Sequence, residues 1–130
     1  MTTPLEVLAQ SKYMLLNTFR RDGTAVATPV WVVRIADELM VWTNPTAGKV
    51  KRIRRDGHVE IGPCTRSGRP LGYPVPASAR ILDPGELDAV MAALIDKYGV
   101  VARLTQLPDR INAMLSRPPQ PRGGIGLVLV

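Results

Sequence analysis

The run at residues 24–35, TAVATPVWVVRI, constrains the fold more than any other stretch of this chain. It is dense in β-branched residues and apolar on both alternating faces. It therefore reads as a strand that needs cover on both sides, as in a barrel or a doubly covered sheet. Pro29 interrupts the run without an N–H to donate, so the ladder there is open or bulged, as a plain edge bulge or as an opening for a ligand. Arg21-Asp22-Gly23 precedes it and marks a hairpin, because such a turn needs positive φ. An apolar strand at 12–20 is the other arm.

Further strands are predicted at 38–43, 58–64, 73–82 and 124–130. At 73–82, Val75, Ala77, Ala79 and Ile81 point inward against Ser78 and Arg80. A short helix is expected at 47–55, with Asn44 or Thr46 as its N-cap; Ala47, Val50 and Ile53 share one arc, and Lys49, Lys51, Arg52 and Arg55 the other. Asp83-Pro84-Gly85-Glu86 is close to a capping box, and Leu87, Val90, Met91, Leu94, Ile95 and Tyr98 follow at helical spacing until Gly99 stops the helix. Helical pieces at 101–106 and 109–115, split by Pro108, and an extended segment at 116–122 complete the reading. Six strands joined mostly by hairpins, with helices inserted, describe a mainly β fold with peripheral helices, a small six-stranded barrel. Regular strand–helix alternation and a Gly-rich dinucleotide loop are both missing, which argues against a doubly wound parallel sheet.

A length of 130 residues is that of one domain, 1–130. No apolar run approaches the roughly 18 residues of a membrane span, and the N-terminus lacks the basic flank and apolar core of a secretory leader, so a cytoplasmic protein is expected. Cys64 and His58 are single residues of their kind, which rules out an internal disulfide and a His/Cys metal cluster. The net charge is +6, and arginine supplies 13 of the 17 cations. The planar guanidinium suits phosphate and carboxylate, so an anionic partner is expected.

Five cations lie between Lys49 and Arg55, at a helix start where free N–H groups and the dipole favour an anion. Gly48 costs helix stability, and close approach of a ligand is one reason to have it; a solvated basic face explains the same run of cations. Trp31 and Trp42 suit stacking on a planar ring as well as core packing. No acid–base pair, nucleophile–base pair or carboxylate dyad can be assembled, which points to cofactor-borne chemistry or plain binding.

Asp22-Gly23-Thr24-Ala25-Val26-Ala27-Thr28-Pro29-Val30-Trp31, then Val41-Trp42-Thr43, the run from Gly48 to Asp56 and Val59 to Cys64 resemble the flavin/deazaflavin oxidoreductases. Within them the resemblance is to the deazaflavin-dependent branch of the pyridoxamine 5'-phosphate oxidase-like, split β-barrel family. It covers residues 12–72, and beyond them only the element order agrees. It implies a six-stranded split barrel that forms a homodimer, with coenzyme F420 at the subunit interface and FMN as the alternative. Thr28, Pro29, Val30 and Trp31 would line the ring with Thr43 close by, and Lys49, Lys51 and Arg52 would hold the phosphate. The implied reaction is hydride transfer to a small organic acceptor such as an enone or quinone, with no catalytic side chain. A non-catalytic cofactor- or nucleic-acid-binding role ranks below these, since few aromatics are free to stack on bases, and no nucleic acid is expected as a partner. The extended C-terminal region of true pyridoxamine phosphate oxidases has no counterpart here, and the loop at 65–74 either covers the site or merely connects strands. The apolar 124–130 segment suggests a dimer interface built from barrel strands.

Overall fold

The computed structural model describes residues 3–99 and 123–130. Helix α1 (Pro4–Gln10) leads into strands β1 (Tyr13–Phe19), β2 (Ala25–Val30), β3 (Val33–Ile35) and β4 (Glu38–Thr43). Helix α2 (Gly48–Arg55), strands β5 (His58–Cys64) and β6 (Val75–Ile81), a short 3-10 turn (Pro84–Glu86), helix α3 (Leu87–Tyr98) and strand β7 (Gly123–Leu129) follow. The expected helical pieces at 101–106 and 109–115 and the extended segment at 116–122 lie outside the described residues.

The strands form one antiparallel sheet of seven in the order β2-β1-β5-β6-β7-β4-β3. One strand was expected at 24–35, and the structure divides it at Trp31-Val32, so the strand count is seven and not six. The two halves pair with different partners. Met14 to Phe19 pair with Val30 to Ala25, whereas Val33 to Ile35 pair with Met40 to Glu38. The chain thus steps from one edge of the sheet to the other within two residues, which is possible only if the sheet curls until its edges meet. This is a split barrel, closed along one seam by the chain itself. Pro29 sits on edge strand β2, where a missing N–H is tolerated.

Inside the curl, Met14, Leu16, Val32, Leu39, Val41, Ile61, Ile125 and Leu127 form one buried cluster with Leu8 of α1 and Val50 and Ile53 of α2. An isolated eight-residue helix is marginal in water, so burial of Val50 and Ile53, about 1.5–3 kcal/mol each, is what holds α2 in place. A second cluster lies on the outer face, where Leu87, Val90 and Leu94 of α3 pack on Val33, Met40 and Leu82. The expected capping box starts this helical segment, with Asp83 N–H donating to Glu86 Oε2 at 2.8 Å, and Gly99 ends it at φ 64°. Arg80 ties the segment to the sheet by bridging Glu38 and Glu86 at 2.8 Å each.

Two local readings change. Thr3-Pro4-Leu5-Glu6 is itself a capping box, with Glu6 N–H donating to Thr3 Oγ1 at 3.2 Å, and it starts a helix additional to those expected. Strand β7 is also buried within one chain from Gly123 to Leu127, because barrel interior and α3 cover its two faces. Its apolarity therefore does not by itself demand a partner; only Val128 and Val130 remain exposed.

At Gly57, a Cβ would lie 2.7 Å from the Ala79 carbonyl oxygen, and the Gly57 carbonyl accepts from Ala79 N–H at 2.8 Å. Gly57→Ala should lower stability in urea unfolding by about 1–3 kcal/mol through overpacking. Gly85→Ala, where nothing lies within 4 Å of the added Cβ, should be neutral or slightly stabilising.

Candidate functional site

The seam leaves Val32 without a strand partner although it is fully buried. Its backbone is satisfied from α3. Val32 N–H donates to the Tyr98 hydroxyl at 3.1 Å, and Lys97 Nζ donates to Val32 C=O at 2.7 Å. The Tyr98 hydroxyl also donates to Lys12 C=O at 2.9 Å, and Lys97 donates to the carbonyls of Ala9 and Ser11 at 2.8 and 2.7 Å. The Tyr98 ring stacks on Trp31 with centroids 4.5 Å apart and planes 8° from parallel. The last turn of α3 therefore fixes both the seam and the indole beside it.

Two cavities meet at this indole. The smaller, about 330 Å³, is walled by Pro29, Val30 and Trp31 from β2 and the seam and by Tyr13 and Trp42 from β1 and β4. Met91 and Leu94 of α3 close it on another side, and Lys49 of α2 brings the charge. The larger, about 740 Å³, shares Tyr13 and Trp31 and adds Gln10, Lys12, Arg66, Lys97 and Tyr98. The loop after β5 does reach this region: Thr65 and Arg69 close a tight turn, with Arg69 N–H on Thr65 Oγ1 at 3.0 Å, and Arg66 projects from it.

Helix α2 presents its N-terminus without a side-chain cap. Asn44 Oδ1 accepts instead from Thr46 N–H and Oγ1 at 2.9 and 2.7 Å, so neither expected cap residue caps, and Ala47 occupies that position. Val50 and Lys51 N–H donate to Ala47 C=O, which leaves the Gly48 and Lys49 N–H groups without a helical acceptor. Arg52 folds back over this turn. Its Nε donates to Thr18 Oγ1 at 2.6 Å, and a Cβ on Gly48 would stand 2.9 Å from its Nη1. Glycine at 48 thus accommodates the Arg52 guanidinium. Burial first, and the Arg52 cation second, push the Lys49 ammonium below the ordinary lysine range.

Of the residues singled out from sequence, Pro29, Val30, Trp31 and Lys49 come together in one cavity, joined by Trp42. Arg52 flanks the helix start. Thr43 is buried, and its Oγ1 has no hydrogen-bond partner among the described residues. Thr28 is half-buried on β2 and Lys51 is exposed; neither lines these two cavities. His58 is exposed and stacks on Phe19, and burial pushes the Cys64 thiol up. Sequence reasoning placed Tyr98, Met91 and Leu94 on the core face of α3 and gave Tyr13 and Lys97 no role. The helical spacing carries the packing face, but no local signal says that Lys97 and Tyr98 reach backbone groups 65–88 residues away.

A curled antiparallel sheet with a cleft at its seam defines the class as a mainly β split barrel. The family model described as pyridoxamine 5'-phosphate oxidase matches residues 5–122, and the chain belongs to that family. Similar solved structures include an F420 reductase, 17% identical with TM-score 0.60 over 100% of this chain and 96% of the other. The heme storage protein HutZ of Vibrio cholerae is 16% identical with TM-score 0.66 over 96% and 86% of the two chains. A FAD-binding protein of Mesorhizobium loti is 15% identical with TM-score 0.60 over 95% and 83%. At these identities the likeness is one of fold. No curated protein matches the chain, and no helix among the described residues is long and apolar enough to cross a membrane.

Lys97 links stability to pH. Burial pushes its ammonium down to about 8 from the ordinary 10.5, so the folded state binds fewer protons than the unfolded state between these values. The penalty of the buried charge is present below pH 8 and is relieved as pH rises. Wild-type stability should therefore increase relative to Lys97→Met between pH 8 and 9.5, measured by urea unfolding at each pH. Parallel curves would show that Lys97 titrates as an ordinary lysine.

Proposed function

We propose that the protein is an oxidoreductase that binds coenzyme F420 in the cleft at the seam and passes a hydride to a small organic acceptor. One observation carries the reading: a flat aromatic wall and a half-buried lysine at an uncapped helix start share a single cavity. A planar ring joined to a phosphate has both needs met there. The volume lies within the usual range for small-ligand pockets, roughly 300–1,000 Å³.

Reduced deazaflavin supplies a hydride when bound. The chain's own residues orient and exclude. Trp31, held flat by Tyr98, and Trp42 would support the ring, with Pro29 and Val30 shielding its edge. Lys49, the Gly48 and Lys49 N–H groups and the positive potential of Arg52 would hold the phosphate. An anion there would relieve the desolvated, Arg52-repelled state of Lys49. His58 and Cys64 lie on β5 and line neither cavity, so neither is given a role; the proton that completes reduction of the acceptor would come from water. The F420 reductase among similar structures agrees with this reading. FMN, which also joins a tricyclic ring to a phosphate, is the competing ligand.

Titrating the purified protein with F420 and with FMN tests the reading: F420 should bind more tightly, and a clear preference for FMN would overturn the cofactor assignment. Lys49→Ala should weaken binding about ten- to more than a hundredfold, the worth of a charge-assisted hydrogen bond of about 1.5–3 kcal/mol. Arg54→Ala, a change on an exposed residue lining neither cavity, should leave affinity within about twofold; equal losses would mean that only diffuse charge is sensed.

The reading includes a homodimer. Val7, Leu71 and Tyr73 are exposed by 41%, 64% and 94% around a shallow apolar groove between α1 and the start of β6. Apolar side chains gathered in this way mark a contact surface. Sedimentation at micromolar concentration should show a dimer, and Tyr73→Arg should shift it toward monomer; a stable wild-type monomer would remove the dimer from the proposal.

A further inference from the structure

We propose that the larger cavity is the acceptor site and that it selects a planar molecule bearing a carboxylate. The inference rests on the reading of the neighbouring cavity as the cofactor's ring site, with which it shares the Tyr13 and Trp31 walls.

Its lining has one sign of charge. Lys12, Arg66 and Lys97 are cations, and no carboxylate lines it among the described residues. The three cations play different parts. Lys97 has all three ammonium protons engaged by the carbonyls of Ala9, Ser11 and Val32 at 2.7–2.8 Å. It has no donor left for a ligand and contributes only its field. No carboxylate lies within ion-pair distance of it among the described residues, so its charge is half-buried and uncompensated. A buried charge in this state favours an anion nearby.

Arg66 and Lys12 are exposed at the cavity and supply the donors. Arg66 stands on a fixed turn, with Gly68 N–H on Thr65 C=O and Thr65 N–H on Arg69 C=O, each at 2.9 Å. Its planar fork matches a carboxylate in bidentate fashion. The remaining walls are aromatic. The Trp31–Tyr98 stack and Tyr13 offer flat apolar surface, against which a planar conjugated body loses less on binding than a flexible chain. An acceptor anchored by its carboxylate at Arg66 and lying along Trp31 would extend toward the smaller cavity, because both cavities use that indole.

Proton linkage gives a readout independent of turnover. Among the described residues, the titratable groups that line the cavity with Lys97 are Lys12 and Tyr13 from the start of β1, Arg66 from the loop after β5 and Tyr98 from α3. None of them is a carboxylate or a histidine. Burial holds Lys97 at about 8, so an anion bound beside it raises its proton affinity and binding takes up protons near pH 8.5.

The probes are trans-cinnamate and its neutral amide, titrated by calorimetry at pH 8.5 in two buffers of different ionisation enthalpy. Cinnamate should bind at least about tenfold more tightly than cinnamamide, with proton uptake that Lys97→Met abolishes. Arg66→Ala, an exposed change that leaves the turn's own hydrogen bonds in place, should weaken cinnamate about ten- to a hundredfold and leave cinnamamide unaltered. Equal affinity for acid and amide, or cinnamate binding indifferent to Arg66→Ala, would overturn the proposal. Cinnamate displaced by F420 but not by the deazaflavin riboside lacking phosphate and glutamates would assign the cavity to the cofactor's own carboxylates and overturn the acceptor assignment. Failure of F420 to bind while cinnamate still binds through Arg66 would sink the cofactor reading alone, leaving the carboxylate site standing.

Discussion

The two-residue link Trp31-Val32 is the constraint on which the rest of the structure depends. It joins strands at opposite edges of one sheet, so the sheet curls and its edges are brought together by covalent chain. At the seam the ladder is interrupted, and a buried peptide without partners would cost about 1–3 kcal/mol per unsatisfied group. The Lys97 ammonium and the Tyr98 hydroxyl take the place of the missing strand. The end of α3 is thus part of the barrel's closure as well as a cover for its outer face.

The cleft is a consequence of that closure. Trp31 is presented at the seam because the chain crosses there, and it is held flat because Tyr98 must reach Val32 and Lys12. Trp42 and Met40 share the outer face of β4, whereas Leu39, Val41 and buried Thr43 alternate inward. The strand period therefore places one tryptophan beside the other on the α3 side of the sheet. Helix α2 is anchored by Val50 and Ile53, which fixes Lys49 at the cavity and leaves Lys51 in solvent. The same five-cation run contains one residue built into the cavity, one engaged with Thr18 and others left on the surface.

Electrostatics follows from this placement. Lys49 and Lys97 both have lowered proton affinity, and in both burial is the leading cause. Lys49 pays this at an uncapped helix start, Lys97 within a ring of carbonyls. The first arrangement leaves its donors available to an anion and the second consumes them. Two lysines with shifts in the same direction are therefore suited to different roles, contact in one case and field in the other.

Much of the fold was legible in the residues. The Asp22-Gly23 hairpin, the alternation at 75–81, the Asp83 capping box and the core face of α3 are local signals, set by φ preference, strand period and helix period. The Thr3 capping box is equally local, a Thr and a Glu three residues apart at the start of α1. The site was legible in part: Pro29, Val30, Trp31 and Lys49 carry recognisable residue types, and they do meet. What sequence could not determine is that 24–35 breaks at Trp31, since an apolar run has the same periodicity whether it stays in one ladder or changes partners. Nor could it determine which cations face the cleft or that Lys97 and Tyr98 close the seam, because those depend on contacts between residues far apart in the chain. Sequence by itself determined the elements, whose causes act within a few residues; the tertiary structure decided the seam, the cleft and the fate of each charge, because curling the sheet is what brings them together.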